Sequence, residues 1–347
     1  MIDKKVLEIF SKEPFIIAET AFSHEGSKDY LKQMIDSLSN QKNIALKFQL
    51  LINKDDFLTP LNSIYKTIDK WLLSEGEWNE VIDYAYINNT NIILAVLDNA
   101  ALEIAKNKKD RILAIEIHPS CIPDDKFFVK VIEFCNTENI PLIIGISGFE
   151  ILEIDYLFNR YFAKYDRNKL VFMYGFQNFP TSIDAIRLKR INLFTEKFNV
   201  KFGYADHTEH NSEVKENIIT MVYGMGINIL ELHFVLEFGE KRTDYVTAYD
   251  ANRIILIKNK LMSLYEALGE CKEGMSDSEK EYAANFRKIP VYTDDFKEGH
   301  ILERDSIRFK RSNMISDFLI FENDELVGKK LRKDVFKDHS ISRDELG

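Results

Sequence analysis

The sequence predicts an α/β fold in which a (β/α)8 barrel is followed by a small β-rich domain. Eight short apolar runs fill the first three quarters of the chain, most of them starting roughly thirty residues apart, with helical spacing between them. Continuous apolar runs are typical of parallel strands that are covered on both faces. Polar residues gather at the C-terminal ends of these runs, where barrel enzymes carry their active sites. The predicted strands are 14–20, 44–50, 91–97, 112–117, 141–147, 170–175, 200–206 and 229–235.

The segments between the predicted strands have the pattern of helices that cover a barrel. Apolar residues recur three and four positions apart in 30–38 and 127–135. Ser27 is expected to cap the first helix, and Ser74 to cap an extra helix with acidic residues in its first turn. Residues 249–265 predict a long helix that closes the barrel.

The pattern changes after the closing helix. We expect a barrel domain over 1–272, a polar linker over 273–285 and a small domain over 286–347. Within the small domain, 295–307 and 335–346 nearly repeat each other, which predicts internal pseudo-symmetry. A domain of about sixty residues is near the lower limit for independent stability, so we expect it to lean on the barrel or on a partner subunit.

Composition favours an enzyme and excludes several other classes. The chain has 347 residues and 45% apolar content, enough to bury a large core. A net charge of −10 disfavours nucleic acid and anionic membranes as partners. Three scattered cysteines predict neither a disulfide framework nor a cysteine zinc site. No secretory signal or membrane-spanning run is found, so we expect a cytoplasmic protein.

Two histidines predict a metal site. His207 follows the seventh strand and His233 ends the eighth, which are neighbours in a closed barrel, so both rings can reach one point. A divalent first-row ion suits such a site; manganese is the first expectation, with magnesium or cobalt as alternatives. The competing interpretation is that each histidine is a hydrogen-bonded core residue. The carboxylates expected nearby are Glu19, Asp206, Glu231 and Asp244.

Lys47 and Gln49 predict a binding site for an anion. They alternate with Phe48 along the second strand, so both point to one face. If that face is the barrel interior, the ammonium needs an anionic partner. A phosphate or carboxylate ligand would supply it, and so would an ion pair with Glu19 on the neighbouring strand; both can hold together.

Several motifs occur together in one order along the chain, the most specific being Asp206-His-Thr and Glu231-x-His-Phe. The other matching segments are 14–27, 46–49 and 179–181. These segments resemble the sialic acid synthase family, the phosphoenolpyruvate-dependent N-acetylneuraminate synthases. The segment from Phe286 resembles that family's C-terminal antifreeze-like, or SAF, domain.

The resemblance implies a transferase that condenses phosphoenolpyruvate with an N-acetylated amino sugar, such as N-acetylmannosamine, to give a nonulosonic acid and phosphate. It implies that His207 and His233 bind the metal ion and that Arg311 reaches the sugar's N-acetyl group across a domain-swapped homodimer. The residues then expected to act in catalysis are Glu19, Lys47, Glu231 and Asp244. Those expected to contact substrate are Gln49, Glu116, Ser147, Gln177, Asp206, Thr208 and Arg311.

This chain departs from the family pattern where phosphate should bind. After the fourth strand, Glu116 stands where the family's Lys-Ile-Gly-Ser-Gly-Glu pattern has lysine, and a like charge opposes phosphate by roughly a kcal/mol or more. Ala205 replaces a serine and Gln177 an asparagine. Residues 146–148 and 95–98 also differ from the family. The metal half of the site matches the family, whereas the phosphate half does not.

Two functions therefore remain open from the sequence. The first is the phosphoenolpyruvate-dependent synthase. The second, prompted by Glu116 and Pro119, is a homologue that does not use phosphoenolpyruvate: a metal-dependent lyase or aldolase on an acidic sugar, or a non-catalytic sugar-binding subunit. Neither the acceptor sugar nor a role for His118 or Ser120 follows from the sequence.

Overall fold

The chain divides between Gly269 and Glu270 into two units, close to the end of the predicted barrel domain. The computed structural model describes residues 11–163, 165–178, 180–269 and 272–347. Phe179, part of one matching segment, and Cys271 lie outside the described residues. Two other cysteines, Cys121 and Cys135, are buried free thiols.

A closed barrel of parallel strands forms the first unit, and it confirms the predicted (β/α)8 fold. In the part of the chain that the structure describes, eight strands pair in sequence order around the barrel, with the eighth against the first. Each strand lies within the range predicted for it. The strands are β1 Phe15–Glu19, β2 Ile44–Leu50, β3 Asn91–Val96, β4 Ala114–Ile117, β5 Leu142–Gly145, β6 Leu170–Tyr174, β7 Lys201–Asp206 and β8 Ile229–His233.

Helices follow the strands, and two of them start at the predicted caps. The Ser27 side chain accepts a hydrogen bond from the Tyr30 amide, and Ser74 forms a capping box with Glu77. Within the described ranges, no helix combines the length and the apolar character needed to span a bilayer. The helices are α1 Lys28–Ser37, α2 Glu75–Ile87, α3 Asn99–Asn107, α4 Asp125–Glu138, α5 Ile151–Leu157, α6 Ile183–Ile186, α7 Lys189–Phe198, α8 Lys215–Gly224 and α9 Ala251–Leu268.

Alternation along the strands separates the core into two layers and positions the polar residues. On β1, Ile16 and Ala18 belong to the cluster between strands and helices, whereas Phe15 and Ile17 belong to the cluster inside the barrel. The next residue with the inward parity is Glu19, at the C-terminal end of the strand. Apolar side chains therefore fill the lower barrel, and inward polar side chains follow them at its mouth.

The second unit contains a two-stranded antiparallel sheet, β9 Lys288–Tyr292 and β10 Ile307–Arg311. Its near-repeats meet through a bridge between Phe296 and Val335. A small apolar core lies beneath them. Its buried members are Tyr292, Leu302, Leu326, Leu331, Val335, Ile341 and Leu346.

The segment 273–285, expected to be a polar linker, contains a helix. Helix α10, Asp277–Phe286, occupies most of that segment, and Ser276 forms a capping box with Glu279 at its start. The polar composition is that of a mostly exposed helix, of which Ala283 alone is buried among the helix residues described. Local capping, not burial, starts this helix.

A test of packing in the barrel unit uses two glycines that share one backbone conformation. Gly26 and Gly239 both have φ of +80°, where an alanine costs about 1–2 kcal/mol. A Cβ on Gly26 would overlap the Lys70 carbonyl oxygen, whereas no heavy atom lies within 4 Å of a Cβ on Gly239. Gly26→Ala should therefore lower the free energy of unfolding by a further ~1–3 kcal/mol relative to Gly239→Ala. Equal midpoints of urea denaturation for the two variants would contradict this.

Candidate active site

Strand register brings three predicted site residues together at the mouth of the barrel. Glu19 ends β1 and pairs in register with Lys47 on β2 and with His233 on β8. All three side chains are almost completely buried. Glu19 therefore lies between the predicted anion-binding lysine and one of the predicted metal ligands.

The Lys47 ammonium is enclosed by three carboxylates. Its Nζ lies 3.0 Å from Glu19 Oε1, 2.8 Å from Glu116 Oε2 and 2.7 Å from Glu231 Oε2. Two of the ammonium's three N–H donors form hydrogen bonds, with Glu116 Oε2 and Glu231 Oε2, and Glu19 is an ion-pair partner. The ion pair with Glu19 considered from the sequence is present, and two further carboxylates come from β4 and β8.

Charge is distributed unevenly among these four groups. Burial and the nearby Glu19 charge raise the pKa of Glu231 well above its usual range and also raise the pKa of Glu116. Burial alone would raise the pKa of Glu19 too, but Lys47 and His233 lower it well below its usual range. Burial disfavours the Lys47 ammonium, yet the three carboxylates raise its pKa well above normal. Glu19 and Lys47 are therefore charged, and Glu231 is the carboxyl group that most readily holds a proton.

His207 and His233 converge at the same mouth. Their ring centroids are 4.9 Å apart, and His233 Nε2 lies 3.0 Å from Glu19 Oε2. One ligand atom from each of Glu19, His207 and His233 lies within 4.8 Å of the other two. Burial, with the neighbouring His233, lowers the pKa of His207 well below its usual range, so its ring is neutral, the form that binds metals.

These residues fit a divalent first-row metal ion. Two imidazoles and one carboxylate form a mixed nitrogen and oxygen donor set, which suits manganese, cobalt or a similar ion. His207 Nδ1 is buried and has no hydrogen-bond partner among the described residues. A buried ring nitrogen without a partner costs free energy, and a bound ion is one partner that could satisfy it.

A buried lysine that the sequence analysis missed holds the histidine-bearing segments together. Lys215 is fully buried, and its Nζ donates to the backbone carbonyl oxygens of Thr208, at 2.7 Å, and Thr247, at 2.9 Å. The Thr247 hydroxyl lies 3.3 Å from His233 Nδ1. Lys215 opens α8, where a lysine ordinarily faces solvent, so no local pattern indicated this contact.

Other predicted substrate contacts are engaged with protein groups. The Thr208 hydroxyl donates to Asp206 Oδ1 at 2.7 Å, and Lys215 Nζ lies 3.6 Å from Asp206 Oδ2. Gln177 Nε2 donates to Asp244 Oδ1 at 2.9 Å. Asp206 and Thr208 thus stabilise the turn after β7, and their contact with substrate stays a prediction.

A cavity of about 610 Å³ opens at the barrel mouth beside Lys47. Ser147 and Gln49 both line the cavity. The Ser147 hydroxyl donates to the Gly175 carbonyl oxygen, and Gln49 Nε2 donates to Glu19 Oε1 at 2.8 Å. The described residues that line the cavity are Glu19, Lys47, Gln49, Glu116, His118, Pro119, Gly145, Ser147, Gly148, Met173, Gly175, Phe176, Gln177, Asn178, Arg190, Ala205, His207 and Glu231.

Two lining residues with ionisable side chains, His118 and Arg190, had no predicted role. Burial lowers the pKa of His118 to about 4, so this imidazole is neutral near pH 7. Its Nδ1 lies 2.7 Å from the Ser120 hydroxyl oxygen. Arg190 follows β6 along the chain, and the sequence offers no signal that distinguishes it from the other basic residues of that segment.

Arg311 lies in the second unit, on β10. Its Nε donates to the Asn285 carbonyl oxygen at 2.9 Å, and its guanidinium lies over the Phe286 ring, 4.7 Å from the centroid. These contacts hold the side chain within its own unit. Its reach to a sugar across a domain-swapped homodimer stays a prediction.

The three carboxylates around Lys47 predict a pH-dependent loss of stability when the lysine is removed. Breaking a buried ion pair costs about 3–5 kcal/mol, which we expect for Lys47→Met at pH 8. The pKa values of Glu116 and Glu231 are already raised in the folded protein, and without the Lys47 charge they rise further above those of the unfolded chain. The variant therefore regains part of the lost unfolding free energy as the pH falls toward 5, because its folded state takes up protons that the unfolded chain does not.

Urea denaturation at pH 8 and pH 5 measures this difference. The matched control is Lys28→Met, which removes an ion pair with Glu80 at the surface and should change stability little at either pH. A deficit of the same size at both pH values would show that the carboxylates around Lys47 do not carry its effect.

The NeuB family model matches residues 34–273 of this chain. The N,N'-diacetyllegionaminic acid synthase of Legionella pneumophila is 22% identical over 338 residues, covering 91% of this chain and 90% of that protein. The pseudaminic acid synthase of Campylobacter jejuni is 25% identical over 345 residues, covering 93% of this chain and 94% of that protein.

A solved structure shares the fold. The N-acetylneuraminic acid synthetase of Leptospira borgpetersenii, crystallised with citrate, superposes with a TM-score of 0.67 at 18% identity. The likeness covers 79% of this chain and 92% of that one. These relatives confirm the resemblance found in the sequence; the SAF identity of the second unit and the altered phosphate site stay predictions. Since the family model spans more than half of the sequence, the chain belongs to the NeuB family.

Proposed function

We propose that this protein condenses phosphoenolpyruvate with an N-acetylated amino sugar, with the help of a divalent metal ion, to give a nonulosonic acid and phosphate. The observation that carries the proposal is the convergence of Glu19, His207 and His233 beside Lys47 at the barrel mouth. The relatives named as legionaminic and pseudaminic acid synthases support it.

Glu19, His207 and His233 are the residues that would hold the ion. When bound, a divalent ion would polarise the carbonyl group of the open-chain sugar. Gln49 donates to Glu19 Oε1, Lys47 forms an ion pair with the same oxygen, and His233 Nε2 lies 3.0 Å from Oε2, so the carboxylate is ionised and held in one orientation.

Glu231 is the proposed proton carrier. It lines the cavity, lies 2.7 Å from Lys47 Nζ and has a pKa well above its usual range because of burial and the charge of Glu19. A carboxylic acid whose pKa is raised keeps its proton to a higher pH and can give it to the sugar oxygen that gains negative charge as the carbon–carbon bond forms.

A second candidate function is favoured by the surroundings of Lys47. Its ammonium lies within 3.0 Å of three carboxylates, and Glu116 stands where the family resemblance implies a lysine. In this arrangement the charge of Lys47 is already balanced by protein carboxylates. A homologue that does not use phosphoenolpyruvate, acting as a lyase or aldolase on an acidic sugar or binding a sugar without turnover, accounts for that observation.

Phosphate release distinguishes the two functions. With manganese and phosphoenolpyruvate, the protein should release phosphate in the presence of N-acetylmannosamine or another N-acetylated or diacetamido sugar. Glu116→Lys replaces a negative charge by a positive one on the wall of the cavity, so the KM for the anionic substrate phosphoenolpyruvate should fall about tenfold or more.

The control is Glu103→Lys, which makes the same charge change on an exposed side chain and should leave KM unchanged. No phosphate release against the whole sugar panel would overturn the first function. Tight binding of a keto-acid sugar without consumption of phosphoenolpyruvate would establish the second.

The metal site predicts a loss of binding in two single variants. His207→Ala and His233→Ala should each abolish manganese binding measured by calorimetry, because each removes one of three ligands. The far-ultraviolet circular dichroism should stay unchanged, since both rings lie at the mouth and not in the packed layers. His339→Ala in the second unit should bind manganese as the parent does, and unchanged stoichiometry in both site variants would refute the assignment.

A further inference from the structure

Two cationic side chains, Lys47 and Arg190, line the cavity among the residues that the structure describes. They lie on opposite sides of it. Lys47 is on β2, and Arg190 is the second residue of α7, which follows β6. Because the eight strands close in sequence order, β6 is four places from β2 in either direction around the barrel.

The Lys47 side of the cavity repels anions. Its ammonium is shared by Glu19, Glu116 and Glu231, so the four groups together carry negative charge unless two of the carboxyls are protonated. An ionised carboxylate repels a negative charge placed beside it, and the repulsion is weakly screened in a buried site. An anionic group of a ligand is therefore more stable elsewhere in the cavity.

Arg190 has hydrogen-bond donors to spare. Its Nη2 donates to the Phe149 carbonyl oxygen at 3.1 Å, and the guanidinium also bonds the Tyr174 phenol. The carboxylate of Glu150 lies 3.8 Å away, with 83% of its side chain exposed, which makes a weak ion pair in solvent. A guanidinium has five N–H donors, so these partners do not use all of them.

We propose that Arg190 is the anion-binding residue of this cavity and takes the phosphate or the carboxylate group of the substrate. A guanidinium matches both groups through paired, parallel hydrogen bonds. Glu116 on β4 stands where the family resemblance implies a lysine. Arg190, which follows β6, supplies a positive charge on another side of the cavity. The identity of the substrate rests on the proposed function, whereas binding of an anion at Arg190 does not.

The test is equilibrium binding of two simple anions, inorganic phosphate and pyruvate, to the full-length protein by calorimetry. Arg190→Met should weaken the binding of one or both anions by about tenfold or more. Arg190→Lys, which keeps the charge but loses the planar fork, should give an intermediate affinity. Lys189→Met removes the same charge from the neighbouring position, which lines an outer groove and not the cavity, and should bind like the parent.

Each outcome decides the proposal. Selective loss of phosphate binding in Arg190→Met identifies a phosphate subsite, and selective loss of pyruvate binding identifies a carboxylate subsite. The proposal is overturned if the parent binds neither anion, if Arg190→Met binds both as the parent does, or if Lys189→Met is weakened equally. A parent protein that binds phosphate through Arg190 but releases none from phosphoenolpyruvate would refute the proposed function and leave the anion site standing.

Discussion

The buried contact between Lys47 and three carboxylates is the interaction on which the rest of the site depends. It joins β1, β2, β4 and β8 across the barrel interior. Burial opposes each of these charges, so a lone ammonium would not stay charged at this position, and three carboxylates without the ammonium would not all stay ionised. The same contact keeps Glu19 ionised. The Glu19 carboxylate lies against His233, so Lys47 indirectly helps to orient this proposed metal ligand.

This arrangement divides the cavity by charge. Carboxylates occupy the side formed by β1, β2, β4 and β8, and Arg190 lies at the start of the helix that follows β6. This division would orient a substrate whose anionic group binds Arg190 and whose uncharged part lies on the carboxylate side. The neutral rings of His207 and His118 lie at the same mouth and add no positive charge near pH 7. The proposed anion site and the proposed metal site therefore lie on different sides of one barrel opening.

Local patterns predicted the elements because local physics forms them. Every barrel strand lies within its predicted apolar run, and Ser27 and Ser74 cap the helices expected of them. The helix within the expected linker 273–285 was not predicted, since polar composition alone does not distinguish an irregular segment from an exposed helix with a good N-cap. Ser276 and Glu279 form a capping box, and the helix begins there although the segment is polar.

The sequence by itself determined the barrel, the parity of its strands and the list of polar residues at the strand ends. Only the tertiary structure decided which of those residues touch. Lys47 and Glu231 are 184 positions apart, and Lys215 reaches carbonyl groups 7 and 32 positions away. Such contacts depend on the register and closure of eight strands, and no local period in the chain encodes the distance between side chains that meet across a barrel.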